Sequence, residues 1–295
     1  MIRYFSTADH SGTMGRWVKV MGKRLPVAVE LHSYDPVALG KITGPATFIF
    51  SDLERLSGGR LAAASRAWTR LRKAGGNRLL NHPTRAMRRY ELLRSLHEAG
   101  INEFDVYRLT EARRPKRYPV FIRREDTHGG TRSPMIANAE EFDRLLRNVL
   151  ANGAFRDTLV AIEYCDTVSE DGIRRKYGCS RIGGAVVPSD MMHSTNPFVK
   201  AVDAVVDEMS VAEESRYLEE NPHAEQILEI FKLARIEYGR MDYGIRNRRL
   251  QVWEINTNPN WVPSNAKNPL RRALLERRWQ RTADAVAALD RRPKA

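Results

Sequence analysis

Cysteine is nearly absent from this chain. Cys165 and Cys179 are the only two in 295 residues and do not form a CxxC pair, which excludes a disulfide framework or a thiolate metal site. Long apolar runs are absent as well. No stretch approaches the roughly 18 to 20 residues that cross a bilayer. The start, MIRYFSTADHSGTMG, has no apolar segment behind a basic one. A cytoplasmic protein with no membrane partner is expected. GxGxxG, GxSxG and HExxH are all missing, which removes the dinucleotide fingerprint, the nucleophile elbow and the zincin motif. Acidic residues are in deficit: 36 Asp and Glu stand against 49 Lys and Arg, a net charge of +13. That excess favours polyanions of every kind, from nucleotides and acidic substrates to nucleic acid. The arginines are scattered in short clusters, the pattern of solvated helix faces.

The length suggests about two compact units. In the first eighty residues VKVMG, VAVELHSY and ATFIFSD read as short strands, followed by a helix whose Leu53, Leu56, Leu61, Trp68 and Leu71 lead to Gly75-Gly76. NHPTRAMRRYELLRSLHEAGI reads as a helix capped by Asn81 and stopped at Gly100. YPVFIRRE reads as a strand, DTHGGTRSP as a loop, and Asn138 as the cap of a helix striped by Phe142, Leu145, Leu146 and Val149 and ended by Gly153. TLVAIEYCD and SRIGGAVVP read as strands. NPFVKAVDAVVDEM and NPHAEQILEIFKLARIEYG each read as a helix opened by Asn-Pro, and a last basic helix starts near Asn268-Pro269.

RMDYGIRNRRLQVWEINTNPN reads as a hairpin with an oxygen-rich face. Side chains two apart share a face, so Glu254 and Asn256 point one way while Trp253 and Ile255 point to the core. A three-residue turn at 247–249 sets Asp242 opposite Glu254, whereas a two-residue turn sets it opposite Trp253. A shell of Asp242, Glu254 and Asn256 suits Mg²⁺, which takes one or two carboxylates and leaves the rest to phosphate and water.

The stretch GRMDYGI…LQVWEINTNPN resembles the C-terminal signature of the ATP-grasp superfamily, with Arg240, Asp242, Glu254, Asn256, Thr257 and Pro259 in the family's places. Upstream, YPVFIR resembles the family's phosphate-binding strand, HGG its glycine-rich loop, and VAIEYCD the segment that meets adenine and ribose. The resemblance implies two α+β subdomains gripping ATP, preceded by a small α/β domain. That gives 1–80 as a pre-ATP-grasp domain, 81–165 as a lid subdomain and 166–295 as the metal-binding subdomain. It implies ATP and Mg²⁺, or Mn²⁺, as cofactors, with the metal on Asp242, Glu254 and Asn256. Phosphates fall to Arg89 (or its neighbour Arg88), Arg123, Gly129 and Gly130, where the family has lysine at two positions. Glu163 and Tyr164 fall to the nucleoside, with Glu163 accepting from ribose. Arg175, Lys176 and His193 are further basic residues expected toward the cleft. Arg240 would face the charge that develops on the transferring phosphoryl group.

The reaction so implied joins a carboxylate to an amine or thiol through an acyl phosphate, on a small molecule or a peptide. Phosphotransfer to another acceptor, and a silent nucleotide- or nucleic-acid-binding protein, are the alternatives.

Overall fold

The computed structural model describes residues 1–128, 130–151, 156–262 and 269–290. Gly129, Gly153 and Asn268 lie outside the described residues. Three sheets organise the chain.

The first sheet is parallel, in the order β2 (Val29–Ser33), β1 (Ile2–Ser6), β3 (Thr47–Phe50), β4 (Arg78–Leu80). Its two central strands, β1 and β3, are buried on both sides. Ile2, Tyr4 and Ile49 meet α1 (Gly12–Met21), while Phe5, Phe48 and Phe50 meet α3 (Gly58–Ala74), behind which lies the short α2 (Pro36–Lys41). VKVMG is therefore mostly helix, not strand. Met14, Trp17 and Met21 form a stripe at helical spacing, and Gly22, at φ +49°, ends it. The strand IRYFS escapes a pattern reading because burial on both faces removes the polar alternation.

The second sheet is antiparallel, β5 (Val106–Arg108), β7 (Leu159–Glu163), β6 (Val120–Arg124), and rests on α5 (Ala139–Ala151) through Phe142 and Leu146. Asn138 does cap α5, accepting from the Glu141 amide at 3.0 Å. The helix α4 (Arg89–Glu98) starts eight residues after Asn81. Asn81 takes a left-handed φ of 63° instead, and its amide binds the Glu237 and Tyr238 amides at 2.8 and 2.9 Å and the Tyr238 carbonyl at 2.7 Å. It staples the chain to the third sheet rather than capping a helix.

That sheet runs β11 (Arg249–Asn256), β10 (Tyr238–Arg246), β8 (Arg174–Ile182), β9 (Ala185–Ser194), all antiparallel. SRIGGAVVP thus spans two strands, joined at Gly183-Gly184. Tyr177, Cys179, Met241, Tyr243, Val252 and Ile255 turn one face onto α7 (Ala224–Leu233) and Leu92 and Leu96 of α4. The opposite face carries Lys176, Asp242 and Glu254. NPFVKAVDAVVDEM is helical only in the single turn Ala201–Asp203 and at its last two residues, where α6 (Glu208–Glu220) begins at a reciprocal cap between Asp207 and Ser210; Pro197, Phe198 and Lys200 line a cavity. Finally, α8 (Arg272–Ala288) returns to the first sheet, placing Ala283 and Val286 beside Ile2 and Trp17.

The β10–β11 turn has two residues, Asn247 and Arg248, both with positive φ (50° and 62°), the backbone a tight hairpin requires. On its own that turn would set Asp242 against Trp253. A β-bulge corrects the register: Tyr243 pairs with Val252 and Asp242 with Glu254, leaving Trp253 as the extra residue. Trp253 consequently turns away from α7 to pack beside Leu93, Phe104 and Ile162, where it lines the cavity. Its indole lies over Gly244, where an added Cβ would come 2.9 Å from the ring and 2.9 Å from Thr167 Cγ2. Gly244→Ala is therefore expected to cost about 1–3 kcal/mol through overpacking. A melt should show the lowered stability, and an unchanged melting temperature would mean that the bulge is not so confined.

Candidate active site

A cleft of about 280 Å³ opens between the second and third sheets. One end is apolar and aromatic, walled by Phe121, Ile162, Tyr164, Phe198 and Trp253. Phe198 meets Phe121 and Tyr164 edge to face, with centroids at 5.2 and 6.0 Å. The other end is ionic and holds Arg123, His128, Lys176, Asp242 and Glu254.

The bulge brings the two carboxylates to one place. Asp242 is 3% exposed and receives Lys176 Nζ at 2.7 Å and Arg240 Nε at 3.0 Å. Glu254 is ringed by Arg89, by Arg123 at 3.5 Å and by His128 Nδ1 at 3.4 Å. Burial alone would raise the Glu254 pKa, but Arg89, His128 and Arg123 override it and hold the carboxyl well below its ordinary range. Arg123 feels the opposite balance: burial and the neighbouring Arg89 charge bring it down to about 10.

Arg89 is not on a solvated helix face. Its side chain is buried at the first residue of α4 and donates to the Arg124 and Thr127 carbonyls at 3.0 and 2.8 Å, while its Nε has no partner among the described residues. Arg88 points elsewhere, to the Leu56 carbonyl.

Sequence reasoning overlooked His128. Burial would lower its pKa, but Glu54 and Glu254 raise it to about 9. Its Nε2 contacts Glu54, which follows the end of β3, so this imidazole links the first sheet's loop to the hairpin. Glu54 in turn accepts from the Thr257 hydroxyl at 3.0 Å. His128 lies in the HGG loop, but its partners are 74 and 126 residues away and leave no local signal. Trp253 and Lys200 also line the cleft and were overlooked, having been read as core and as helix.

Several expected residues are placed differently. Arg175 cannot face the cleft together with Lys176, because neighbours in a strand point to opposite faces. It is held by Asp171 and Glu213, both at 2.7 Å, and His193 joins the same Glu213 at 2.8 Å. Glu163 borders the cleft but already receives five donors: the amides of Asp105, Lys116 and Arg117, the Tyr107 hydroxyl and Arg117 Nε, at 2.8 to 3.3 Å. A carboxylate has about four acceptor positions, so nothing remains for a ribose hydroxyl. Gly130 and Tyr164 line the cleft. Asn256 lies opposite Arg240, and its Oδ1 accepts from the Asn258 amide at 2.8 Å.

Among the described residues no three His, Cys, Asp or Glu converge on one point. The donor set is two carboxylates on adjacent strands and an amide oxygen, surrounded by cations. Such a set suits a magnesium ion that arrives with phosphates and completes its shell with them and water. It does not suit a closed structural metal site.

No protein-family model matches the sequence and no curated protein matches it. Solved structures do, and they define a class: the chain has the ATP-grasp fold. The structure of D-alanine–D-alanine ligase from Bacillus anthracis complexed with ATP aligns with TM-score 0.56 at 13% identity, over 98% of this chain and 96% of that one. D-cycloserine synthetase DcsG aligns with TM-score 0.53 at 15% identity, over 94% and 99%. The ATP-grasp ligase PsnB complexed with minimal precursor aligns with TM-score 0.56 at 12% identity, over 98% and 99%. No described helix is long and apolar enough to cross a membrane.

Proposed function

We propose that this protein is an ATP- and Mg²⁺-dependent ligase that activates a carboxylate as an acyl phosphate and passes it to an amine. The observation that carries this reading is the cross-strand Asp242 and Glu254 pair, ringed by Arg89, Arg123, His128 and Lys176 at the end of an aromatic slot. The slot takes the base. The cations, satisfied by carboxylates in the ligand-free chain, exchange them for phosphate oxygens, with Arg89 Nε already free to donate. Arginine in place of lysine supplies a planar fork rather than a point charge. Asp242, Glu254 and Asn256 would hold the metal, whose contribution is to neutralise charge on the bridging phosphates. Arg240, fixed by Asp242, faces the transferring group.

The acceptor would lie toward the carboxyl ends of the parallel strands β1 and β3, the usual ligand edge of such a sheet. Buried Thr7, Asp52 and Glu54 collect there against Thr257.

The test is ADP formation with Mg²⁺ against pooled carboxylates and amines. ADP should appear only with both substrates and fall at least about a hundredfold in Asp242→Ala, the loss expected from removing a group that neutralises transition-state charge. Equal ADP release from the variant would overturn the assignment. Trp253→Ala is expected to weaken ATP binding about tenfold, from lost aromatic contact, as read by a fluorescent-nucleotide titration. Unchanged affinity would place the base elsewhere.

A further inference from the structure

The surplus charge is not evenly distributed. Residues 1–80 hold 13 Lys and Arg against 5 Asp and Glu, a net +8 out of the chain's +13. Within that unit α3 is the extreme case: its 17 residues include Arg60, Arg66, Arg70, Arg72 and Lys73 and no acid. All five are exposed. Arg66, Arg70 and Lys73 fall at i, i+4 and i+7, one face spanning roughly 10 Å at 1.5 Å per residue.

Among the described residues two other basic helices are neutralised, whereas Arg16 and Lys19 of α1 are as unpaired as the residues of α3. On α8, Arg277 meets Glu219 and Arg272 meets Glu276, and on α4, Arg94 meets Glu98 and Asp105. Among the described residues Arg60, Arg66, Arg72, Lys73 and the nearby exposed Arg85 have no ion-pair partner. Arg72 and Arg85 belong to one patch, since both act on His82, whose ring lies 5.0 Å from Trp68 of α3. Burial, then Arg85 and Arg72, lower the His82 pKa, as an uncompensated positive field would.

The patch borders a cavity of about 490 Å³ whose near wall includes Leu61 of α3 with Arg85 and Arg88, while its far wall carries acids, among them Glu54, Glu125 and Asp157. It therefore adjoins the edge of the first sheet where the acceptor is placed.

We infer that the outer face of α3, with Arg85, docks an acidic peptide segment of the acceptor, so that the substrate is a carboxylate-rich peptide or protein rather than a free amino acid. The inference rests on the ligase reading, because the first unit is where an acceptor would be selected. Two observations favour a peptide over nucleic acid. Among the described residues none of the exposed large hydrophobic side chains is aromatic, so they offer no stacking platform for unpaired bases. The proposed reaction also consumes a carboxylate, which an acidic peptide brings with it.

The test is fluorescence anisotropy of a labelled oligoglutamate peptide with the full chain, at moderate salt and without nucleotide. Arg66→Glu, Lys73→Glu and Arg85→Glu together should weaken binding by about tenfold or more. The same charge change on the other face of the first sheet, Arg16→Glu, Lys19→Glu and Lys23→Glu, should leave it within about twofold, because only local charge complementarity is altered. All six positions are exposed, and the melting temperatures of both sets should match the wild type. Equal weakening in both sets, no weakening in the first, or no binding at all would overturn the inference. So would an oligonucleotide of equal charge that binds more tightly and displaces the peptide. The result is separable from the ligase assignment: ADP formation on small substrates should survive the α3 changes, and peptide binding can persist where ADP formation fails.

Discussion

Replacing Glu254 with glutamine is expected to reduce Mg²⁺-dependent ADP formation by three orders of magnitude or more and to destabilise the ligand-free protein as well. The catalytic loss follows from the proposed role: one of the two carboxylates assigned to the metal disappears, and an electrostatic contribution of about 4 kcal/mol corresponds to roughly a thousandfold in rate. The stability loss follows from the neighbours. Glu254 compensates Arg89, Arg123 and His128, all largely buried, with side chains 3%, 15% and 17% exposed. Removing the shared anion takes the carboxylate from the buried Arg89, a loss of about 3–5 kcal/mol. Asp242→Asn should separate the two effects. Its partners Lys176 and Arg240 remain near other groups, Arg240 within 3.9 Å of Asp190, so activity should collapse with a smaller drop in melting temperature. Should Glu254→Gln melt like the wild type, the ionic cluster would not be compensated as described.

The second large effect is on stability against pH with a chelator present. His128 has its pKa raised to about 9 from an ordinary 6.5, with Glu54 and Glu254 overriding burial. The imidazolium's contribution is present in full below pH 6.5 and is lost as pH rises through about 9. Each pKa unit is worth about 1.4 kcal/mol, so the loss is on the order of 3 kcal/mol. Glu54 mirrors this. Burial raises its pKa, but His128 and then Arg55 bring it down to about 2, so its contribution is present above the ordinary 4.5 and lost as pH falls toward 2. The two shifts describe one ion pair and are not summed. Wild type and His128→Gln should converge in denaturant stability between pH 7 and 10. Parallel profiles across that range would show that His128 is not charged between the two acids.

Much of the site was legible in the sequence. The D…E-x-N spacing on a hairpin identified the carboxylates, and alternation alone predicted that Glu254 and Ile255 diverge. The register was not legible, because it depends on a bulge, and the bulge depends on Trp253 finding room over Gly244, a contact between strands. Arg175 and Lys176 were indistinguishable until the pairing of β8 with β10 fixed which one shares a face with Asp242. The sequence could not choose between Arg89 and Arg88, because the partners of Arg89, Glu254 and the Thr127 carbonyl, come from distant segments. The first strand was missed and the first helix misread for another reason: double burial erased the alternation in one, and Val18 and Val20, alternating with Lys19, imitated a strand in the other.

The most direct test of the central claim is a crystal structure with Mn²⁺ and a non-hydrolysable ATP analogue, read in the manganese anomalous map. The account requires an anomalous peak about 2.2 Å from carboxylate oxygens of both Asp242 and Glu254, with Arg89 and Arg123 turned onto phosphates and the base between Phe198 and Trp253. A manganese peak away from these two carboxylates, with Glu254 still held by His128 and Arg89, would contradict it.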